Sequence, residues 1–321
     1  MNEPTVDVVI AARDRADTIE RAVLSALAQG EVRTVIVADD GSADDTATRA
    51  RQCDSAGRRV IVQSLRASVG PAAARNIAIG ASTAPWLAIL DADDFFLPGR
   101  IGVLLSESSD WDLVADNVIH LPERQITEAL LRPIQVGSSG NLQQLNFEQF
   151  VLGNVTRRGS HRKELGYLQP LIRRQFLDAH ALRYDENLRF GEDYILYARA
   201  LAAGARFLLI PTAGYVAVER AGSLSERHTR RDLEALRASA LTLTATSGLH
   251  PRERAALTEH LADIDRRTQW FVIVEALQSR NYARFIAPFL RSPALALYLA
   301  ERLVSEIPRQ IKKRLKRLFR E

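Results

Sequence analysis

The first 120 residues alternate short apolar runs with segments whose apolar positions recur at helical spacing. TVDVVIAA (5–12) suits a buried strand. In DTIERAVLSALAQ (17–29), Ile19, Val23, Leu24 and Leu27 share one helical face, with Asp17 or Thr18 placed to cap it. VRTVIVADD (32–40) reads as a second strand that stops at two carboxylates. The next segment, GSADDTATRARQC, spaces Ser42 and Asp45 as a capping box. RRVIVQSL (58–65) is a third strand, and SVGPAAARNIAIGAS (68–82) opens a helix with Pro71 near its first turn. PWLAIL (85–90) is a fourth strand, and LDADDFFLP closes it with Asp91, Asp93 and Asp94.

This strand–helix alternation predicts an α/β fold with a mainly parallel sheet and helices on both faces. Such sheets bind ligands beyond the carboxyl ends of their strands, where Asp39–Asp40 and Asp91–Asp94 fall. Further along, WDLVADNVIHL (111–121) reads as a strand, and 122–166 as a loop-rich polar insertion. Residues 192–203 read as a helix, 206–210 as a strand, and everything after about 230 as helical with a turn near SGLHPRE.

Composition narrows the function classes. The chain has 321 residues, 46% of them hydrophobic and 26% charged, as in ordinary globular proteins. Its single cysteine, Cys53, excludes an internal disulfide, and no run of about 18 apolar residues predicts a spanning helix. MNEPTVDVVIAARDR lacks the basic start of a signal peptide. Seven of the basic residues lie in PRQIKKRLKRLFR (308–320); setting them aside turns the net charge of +4 into −3. A mildly acidic body with a basic tail argues against nucleic acid as a partner.

The acidic clusters carry the candidate chemistry. In extended backbone, Asp91 and Asp93 would point to one side, roughly 6–7 Å apart at Cα. Two such carboxylates repel unless neutralised, and Mg2+ or Mn2+ typically joins one or two carboxylates to phosphate oxygens. A solvated acidic turn capping the next helix is the plainer alternative. Asp39, Asp40 and Gly41 form a second cluster, suited to accept from a base or a ribose, or simply to sit at a helix start favoured by the dipole. Arg75 and Asn76 lie one turn into a helix that faces the same edge. No Gly-x-Gly-x-x-Gly follows the first strand and no Walker A sequence occurs, which weakens dinucleotide and P-loop readings.

Five segments, VVIAARDRADTIERAVLSAL, VIVADDGSADDT, GPAAARNIAIGAS, WLAILDADDFFLP and FGEDYILYARAL, resemble the family 2 glycosyltransferases in order and spacing, over residues 5–225. DWDLVADNVI, LGYLQPLIRRQFL and GSLSERHT further resemble the bacterial exopolysaccharide (succinoglycan-type) biosynthesis glycosyltransferases. The resemblance implies a GT-A fold, Rossmann-like, over 1–230, with a helical C-terminal extension over 231–321. It implies donor-nucleotide contacts at Ala11, Arg13, Asp39, Asp40, Arg75 and Asp91, with Asp40 at the uracil and Arg75 on the base side. It places Asp91 and Asp93 on the metal, and Asp193 of Gly191-Glu192-Asp193 as general base. Glu192, Arg220 and His228 are candidate diphosphate or acceptor contacts. Where the family often carries Pro-Thr-Tyr-Asn, this chain has Ala11-Ala12-Arg13-Asp14, so the aromatic near the base is missing.

The tail adds a membrane reading. Leu303, Val304, Ile307, Ile311, Leu315 and Leu318 recur at helical spacing, while Lys312, Lys313, Arg314, Lys316 and Arg317 fill other positions. A basic amphipathic helix of this kind lies on an anionic membrane surface, although it could also dock on its own core or on a homodimer partner. The resulting expectation is a metal-dependent inverting transfer of a hexose, glucose first, from a UDP-sugar to a lipid-linked saccharide acceptor. It would take place at the cytoplasmic face of the membrane. The alternatives are a sugar-phosphate nucleotidyltransferase and a non-catalytic nucleotide- or membrane-binding protein of the same fold.

Overall fold

The computed structural model describes residues 5–54, 56–126, 141–156, 165–219 and 228–318, the side chains of 306–318 excepted. Strands β1 (Val6–Ala12), β2 (Val32–Asp39), β3 (Val60–Ser64) and β4 (Trp86–Ile89) alternate with helices α1 (Ile19–Leu27), α2 (Thr46–Gln52) and α3 (Pro71–Ala81). Then follow β5 (Phe95–Phe96), α4 (Arg100–Ser106), β6 (Leu113–Pro122), β7 (Gln143–Leu145) and α5 (Phe147–Gly153). Next come β8 (Leu171–Arg173), α6 (Arg174–Ala179), α7 (Glu192–Ala202) and β9 (Phe207–Glu219). Helices α8 (Arg230–Thr242), α9 (Pro251–Gln278), α10 (Tyr282–Ile286) and α11 (Pro293–Leu318) complete the chain.

The sheet order is β3-β2-β1-β4-β8-β6-β9-β5, with β7 paired to β9. β1 through β4, β6 and β9 run one way; β5, β7 and β8 run against them. The alternation of side chains along β1 explains the two layers. Val6, Val8 and Ile10 pack with Ile19, Ala22, Val23 and Ala26 of α1 on one face. Val9 packs with Ala72, Ala78 and Ile79 of α3 and with α7 on the other. The expected mixed α/β sheet with flanking helices is the architecture observed.

Several local expectations are corrected. The buried face of α1 is Ile19, Ala22, Val23 and Ala26, while Leu24 is 45% exposed. Thr18 at the α1 N-cap makes no side-chain capping bond; its own amide and that of Ile19 donate to the Arg15 carbonyl. Ser42 and Asp45 form no capping box: the Ser42 hydroxyl is taken by the Asp14 amide at 3.0 Å. Within the expected loop-rich insertion, β7 extends the sheet and α5 begins at a capping box of Asn146 and Gln149. Phe147, Phe150 and Val151 bury that helix. β9 runs far beyond residue 210, following β6 through a register shift at Ala115–Val118.

The C-terminal helices share the core. Leu233 and Leu236 of α8 and Leu257, Leu261 and Ile264 of α9 join Phe150, Tyr194 and Tyr197 in one cluster. The far half of α9 makes a smaller cluster, with Trp270 and Ile273 against Leu299 of α11.

Candidate active site

Three loops at the carboxyl ends of β1, β2 and β4 build the site. β1 lies between β2 and β4, so the turns that follow them are adjacent. The loop after β1 is laced to the loop after β2. Asp14 accepts from the Ala43 amide at 2.8 Å, the Arg15 amide donates to Thr46 Oγ1 at 2.7 Å, and the Ala16 amide donates to Asp44 Oδ2 at 3.0 Å. Ala11 is a partly buried strand residue paired with Ala38, and Arg13 extends into solvent beside Asp14 at 3.7 Å.

Asp39 and Asp40 are both buried but are used differently. Asp40 accepts from Ser68 Oγ at 2.7 Å and from the amides of Val69 at 2.6 Å and Gly70 at 3.1 Å. It therefore braces the loop that leads into α3. Asp39 has only a 3.4 Å contact from the Ser42 amide. Gly41 joins them at φ +68°, and a Cβ there would stand 2.9 Å from the Ala67 carbonyl carbon. Only glycine accommodates both the left-handed backbone and that approach.

The DADD segment is a turn, not the extended backbone expected: the Asp94 amide donates to the Asp91 carbonyl at 3.1 Å. The division of labour among its acids comes from this turn. Asp94 points inward, accepting from Tyr215 hydroxyl and from the Val218 amide, each at 2.8 Å. The same hydroxyl accepts from the Asp91 amide at 3.1 Å, so Tyr215 and Asp94 hold the turn from behind. Asp91 and Asp93 remain partly accessible, with side chains 36% and 24% exposed. Arg15 Nε lies 3.5 Å from Asp93 Oδ2.

Arg75 is the link to α7. It is buried, donating from Nη2 to Asp91 Oδ1 at 2.6 Å and from Nη1 to Glu192 Oε1 at 2.7 Å. Its guanidinium is committed to two carboxylates, one on the turn after β4 and one at the start of α7. The two acids that open α7 diverge accordingly. Glu192 turns to Arg75, while Asp193 Oδ1 accepts from Tyr184 hydroxyl at 2.8 Å. Gly191 permits this start, with φ +76° and Leu236 Cδ1 2.9 Å from where a Cβ would stand.

Burial pushes the Asp193 carboxyl up to about 7; Arg75 opposes this, and Glu192 and Asp91 reinforce it. A carboxyl titrating there is chemically able to accept a proton near neutral pH. Burial and the Asp193 charge push the Tyr184 hydroxyl well above its ordinary range, so it remains a donor.

His228 stacks on Phe190 at 4.4 Å and meets Phe271 edge-on at 5.4 Å, beside the α7 start. Arg220 lies outside the described residues, as do the side chains of Lys312, Lys313, Arg314, Lys316 and Arg317. Tyr184 and Tyr215 complete the site without a sequence signal of their own. One sits in an irregular loop and the other inside an apolar strand, and neither carries a pattern that would expose it.

Among the described residues, no three His, Cys, Asp or Glu side chains converge on a common point. Asp91 and Asp93 supply hard oxygen ligands on one accessible turn, each now balanced by an arginine. They fit a divalent cation whose remaining ligands come from a diphosphate and water, not a closed protein cage.

Fold and site together define a GT-A-like nucleotide-sugar transferase architecture. The profile described as "Glycosyl transferase family 2" matches residues 7–132. "Succinoglycan biosynthesis protein ExoU" of Rhizobium meliloti (strain 1021) is 44% identical over 289 residues, 90% of this chain and 84% of that protein. "Succinoglycan biosynthesis protein ExoO" of the same strain is 34% identical over 320 residues, 96% of this chain and 89% of that protein. The fold also resembles S. aureus TarS 1-349 in complex with UDP-GlcNAc, with a TM-score of 0.64 at 16% identity, covering 88% of this chain and 78% of that one. The chain belongs to glycosyltransferase family 2, and it is a glycosyltransferase acting on a sugar-nucleotide donor. This membership sets aside the nucleotidyltransferase and non-catalytic alternatives.

Proposed function

We propose that this enzyme carries out metal-dependent, inverting transfer of a hexose, glucose first, from a UDP-sugar to a lipid-linked oligosaccharide. The product would enter exopolysaccharide or surface-polysaccharide assembly. The observation that carries the reading is the placement of Asp193, an ionisable carboxylate near neutrality that Arg75 and Glu192 tie to the Asp91 turn. In this reading Asp193 takes the proton of the acceptor hydroxyl as that oxygen attacks the anomeric carbon from the face opposite the departing diphosphate. The glycosidic bond to the diphosphate breaks as the new one forms, which inverts the configuration. Asp40, expected at the uracil, spends its carboxylate on the loop of Ser68, Val69 and Gly70, so the uracil contact passes to Asp39 beside it, and Ala11 and Arg13 border the nucleotide. Asp91 and Asp93 hold the cation, Mg2+ or Mn2+. When bound, that cation neutralises the charge developing on the departing nucleoside diphosphate. Glu192 and Arg75 act by positioning, while Arg220 and His228 are left for diphosphate or acceptor contacts. The boundary near residue 230 then separates chemistry from attachment, not two cores.

A screen of radiolabelled nucleotide sugars with membrane lipid extract as acceptor tests the activity; no labelled lipid from any UDP-hexose rejects the donor and acceptor assigned. Calorimetry isolates the donor site. UDP binding is expected only with Mg2+ or Mn2+, and Asp93→Ala should weaken it at least tenfold, about 1.4 kcal/mol. Equal binding without metal would remove the role given to Asp93.

Attachment to the inner face of the membrane, through the anionic lipid surface, is part of the same proposal. No helix among the described residues is long and apolar enough to cross a membrane. Ahead of the basic cluster, Tyr282 is 68%, Leu290 80% and Val304 71% exposed, which supports surface attachment. Changing Lys312, Lys313, Arg314, Lys316 and Arg317 together to Gln should weaken binding to phosphatidylglycerol vesicles at least a hundredfold, at about 1 kcal/mol for each charge. Undiminished flotation with the vesicles rejects the attachment model, and a matching change in mass in solution would instead assign the tail to a homodimer.

A further inference from the structure

Asp193 is held by residues outside the motifs that mark it. Tyr184 lies in the loop between α6 and α7, buried, with its hydroxyl 2.8 Å from Asp193 Oδ1. Its ring packs under the Arg75 guanidinium, 5.4 Å from centroid to carbon. Asn76 clamps its main chain twice: the Tyr184 amide donates to Asn76 Oδ1 at 2.9 Å, and Asn76 Nδ2 donates to the Tyr184 carbonyl at 3.0 Å. The following residue, Asp185, is pinned by Ser239 Oγ at 2.7 Å and Arg199 Nη2 at 3.1 Å. Two consecutive residues of α3 therefore govern both acids of the α7 start. Arg75 holds Glu192, and Asn76 holds Asp193 through Tyr184.

We propose that Tyr184, clamped by Asn76, is the positioning residue for the catalytic base: its hydroxyl takes Asp193 Oδ1 and so turns Oδ2 to the acceptor hydroxyl. This rests on the reading of Asp193 as the base. Asp193 Oδ2 meets no hydrogen-bond donor among the described residues, which leaves it for substrate. A carboxylate without the phenol contact would sample several rotamers, and only some aim an oxygen at the acceptor. The loop around Tyr184 is fixed from α3, α7 and α8, so the hydroxyl is delivered by a rigid support and not by a mobile side chain.

The groups that face Asp193 are Arg75 from α3, Asp91 from the turn after β4, Glu192 and Tyr197 from α7, and Tyr184 itself. Removing the phenol hydroxyl leaves Arg75 alone to oppose burial and the two neighbouring carboxylates. Phenylalanine keeps the ring and its packing, so a purely structural role for Tyr184 would leave the Asp193 titration unchanged.

The test uses the full chain, 13C-labelled at Asp carboxyl carbons, with Asp193→Asn identifying the Asp193 resonance. Tyr184→Phe should raise the Asp193 midpoint by about one pH unit, a tenfold change in proton affinity. Transfer from the UDP-hexose found active with lipid extract should fall about tenfold in kcat at pH 7, with donor KM within about twofold of the parent. Part of that loss should return by pH 9. Asn76→Ala, which keeps the phenol but frees the loop, should move both readouts the same way by less, and serves if Tyr184→Phe does not fold. A parental midpoint and pH profile in either folded variant, alongside an inactive Asp193→Asn, overturns the positioning role alone. Full transfer by Asp193→Asn overturns the base assignment, and the positioning role with it.

Discussion

Asp193→Asn is expected to lower transfer by 10²–10⁴-fold while leaving metal-dependent UDP binding close to the parent value. Loss of a positioned general base costs about this much, and the change removes a proton acceptor without removing a hydrogen-bond acceptor for Tyr184. The parent enzyme should show the same dependence through pH. Its base must be ionised, and burial holds the carboxyl up at about 7. Its kcat/KM should therefore fall about tenfold per unit below that pH and level off above it. Stability should run the opposite way. The folded state binds this proton more tightly than the unfolded chain, whose aspartates titrate near 3.9. The stability tied to the protonated carboxyl is present at low pH and is lost as pH rises from about 4 through about 7. Asp193→Asn should therefore melt higher than the parent at pH 8, and the difference should vanish toward pH 4. A variant that loses both activity and stability at pH 8 would show that Asp193 supports the fold and does not strain it.

The largest expected effect on stability belongs to Arg100, behind the site. Both Arg100 and Asp116 are buried, with side chains 1% exposed, and are joined at 2.8 Å. Arg100 also donates to the Gln169 carbonyl and lies over Phe96 at 4.7 Å and Tyr215 at 5.3 Å. Asp116 accepts in addition from the Gly214 amide at 2.6 Å. Arg100→Met would strand a buried carboxylate, and breaking such a pair from one side costs about 3–5 kcal/mol. Urea unfolding should register that loss, and the double change with Asp116→Leu should recover part of it, because the stranded charge is then gone. Full stability in Arg100→Met would mean that Asp116 finds another partner. The effect should also reach the site. Arg100 packs against Tyr215, and Tyr215 bonds the Asp91 amide and Asp94, so the metal turn should loosen as the pair is lost.

Particular residues show where reading the sequence succeeds and where it stops. The alternation along β1 and the apolar run of β4 announce the sheet, because burial on both faces demands near-continuous apolar residues. The same runs end in Asp39 and Asp91, so the ligand edge was legible from them. Asp91 and Asp93 were legible as a pair on one side, and Asp94 turns inward to Tyr215 and the Val218 amide. The reason differs from the one expected: a turn, not strand alternation, parts them. Arg75 was legible as a candidate but not in its direction, since only packing brings Asp91 and Glu192 to it from 16 positions and 117 positions away. Leu24 kept helical spacing yet faces solvent, because Ala22 and Ala26 permit the close approach of α1 to the sheet and take its place.

Local physics therefore determined, from the sequence by itself, which segments become strands and helices, which edge gathers the carboxylates, and which family pattern they follow. Tertiary structure alone decided how those carboxylates are used. Asp40 braces a loop while Asp39 remains available, Glu192 pairs with Arg75, and Tyr184 meets Asp193. Periodicity records whether a side chain is buried. It does not record which distant donor shares that burial, and in a low-dielectric interior the choice of partner sets both the charge and the aim of each acid.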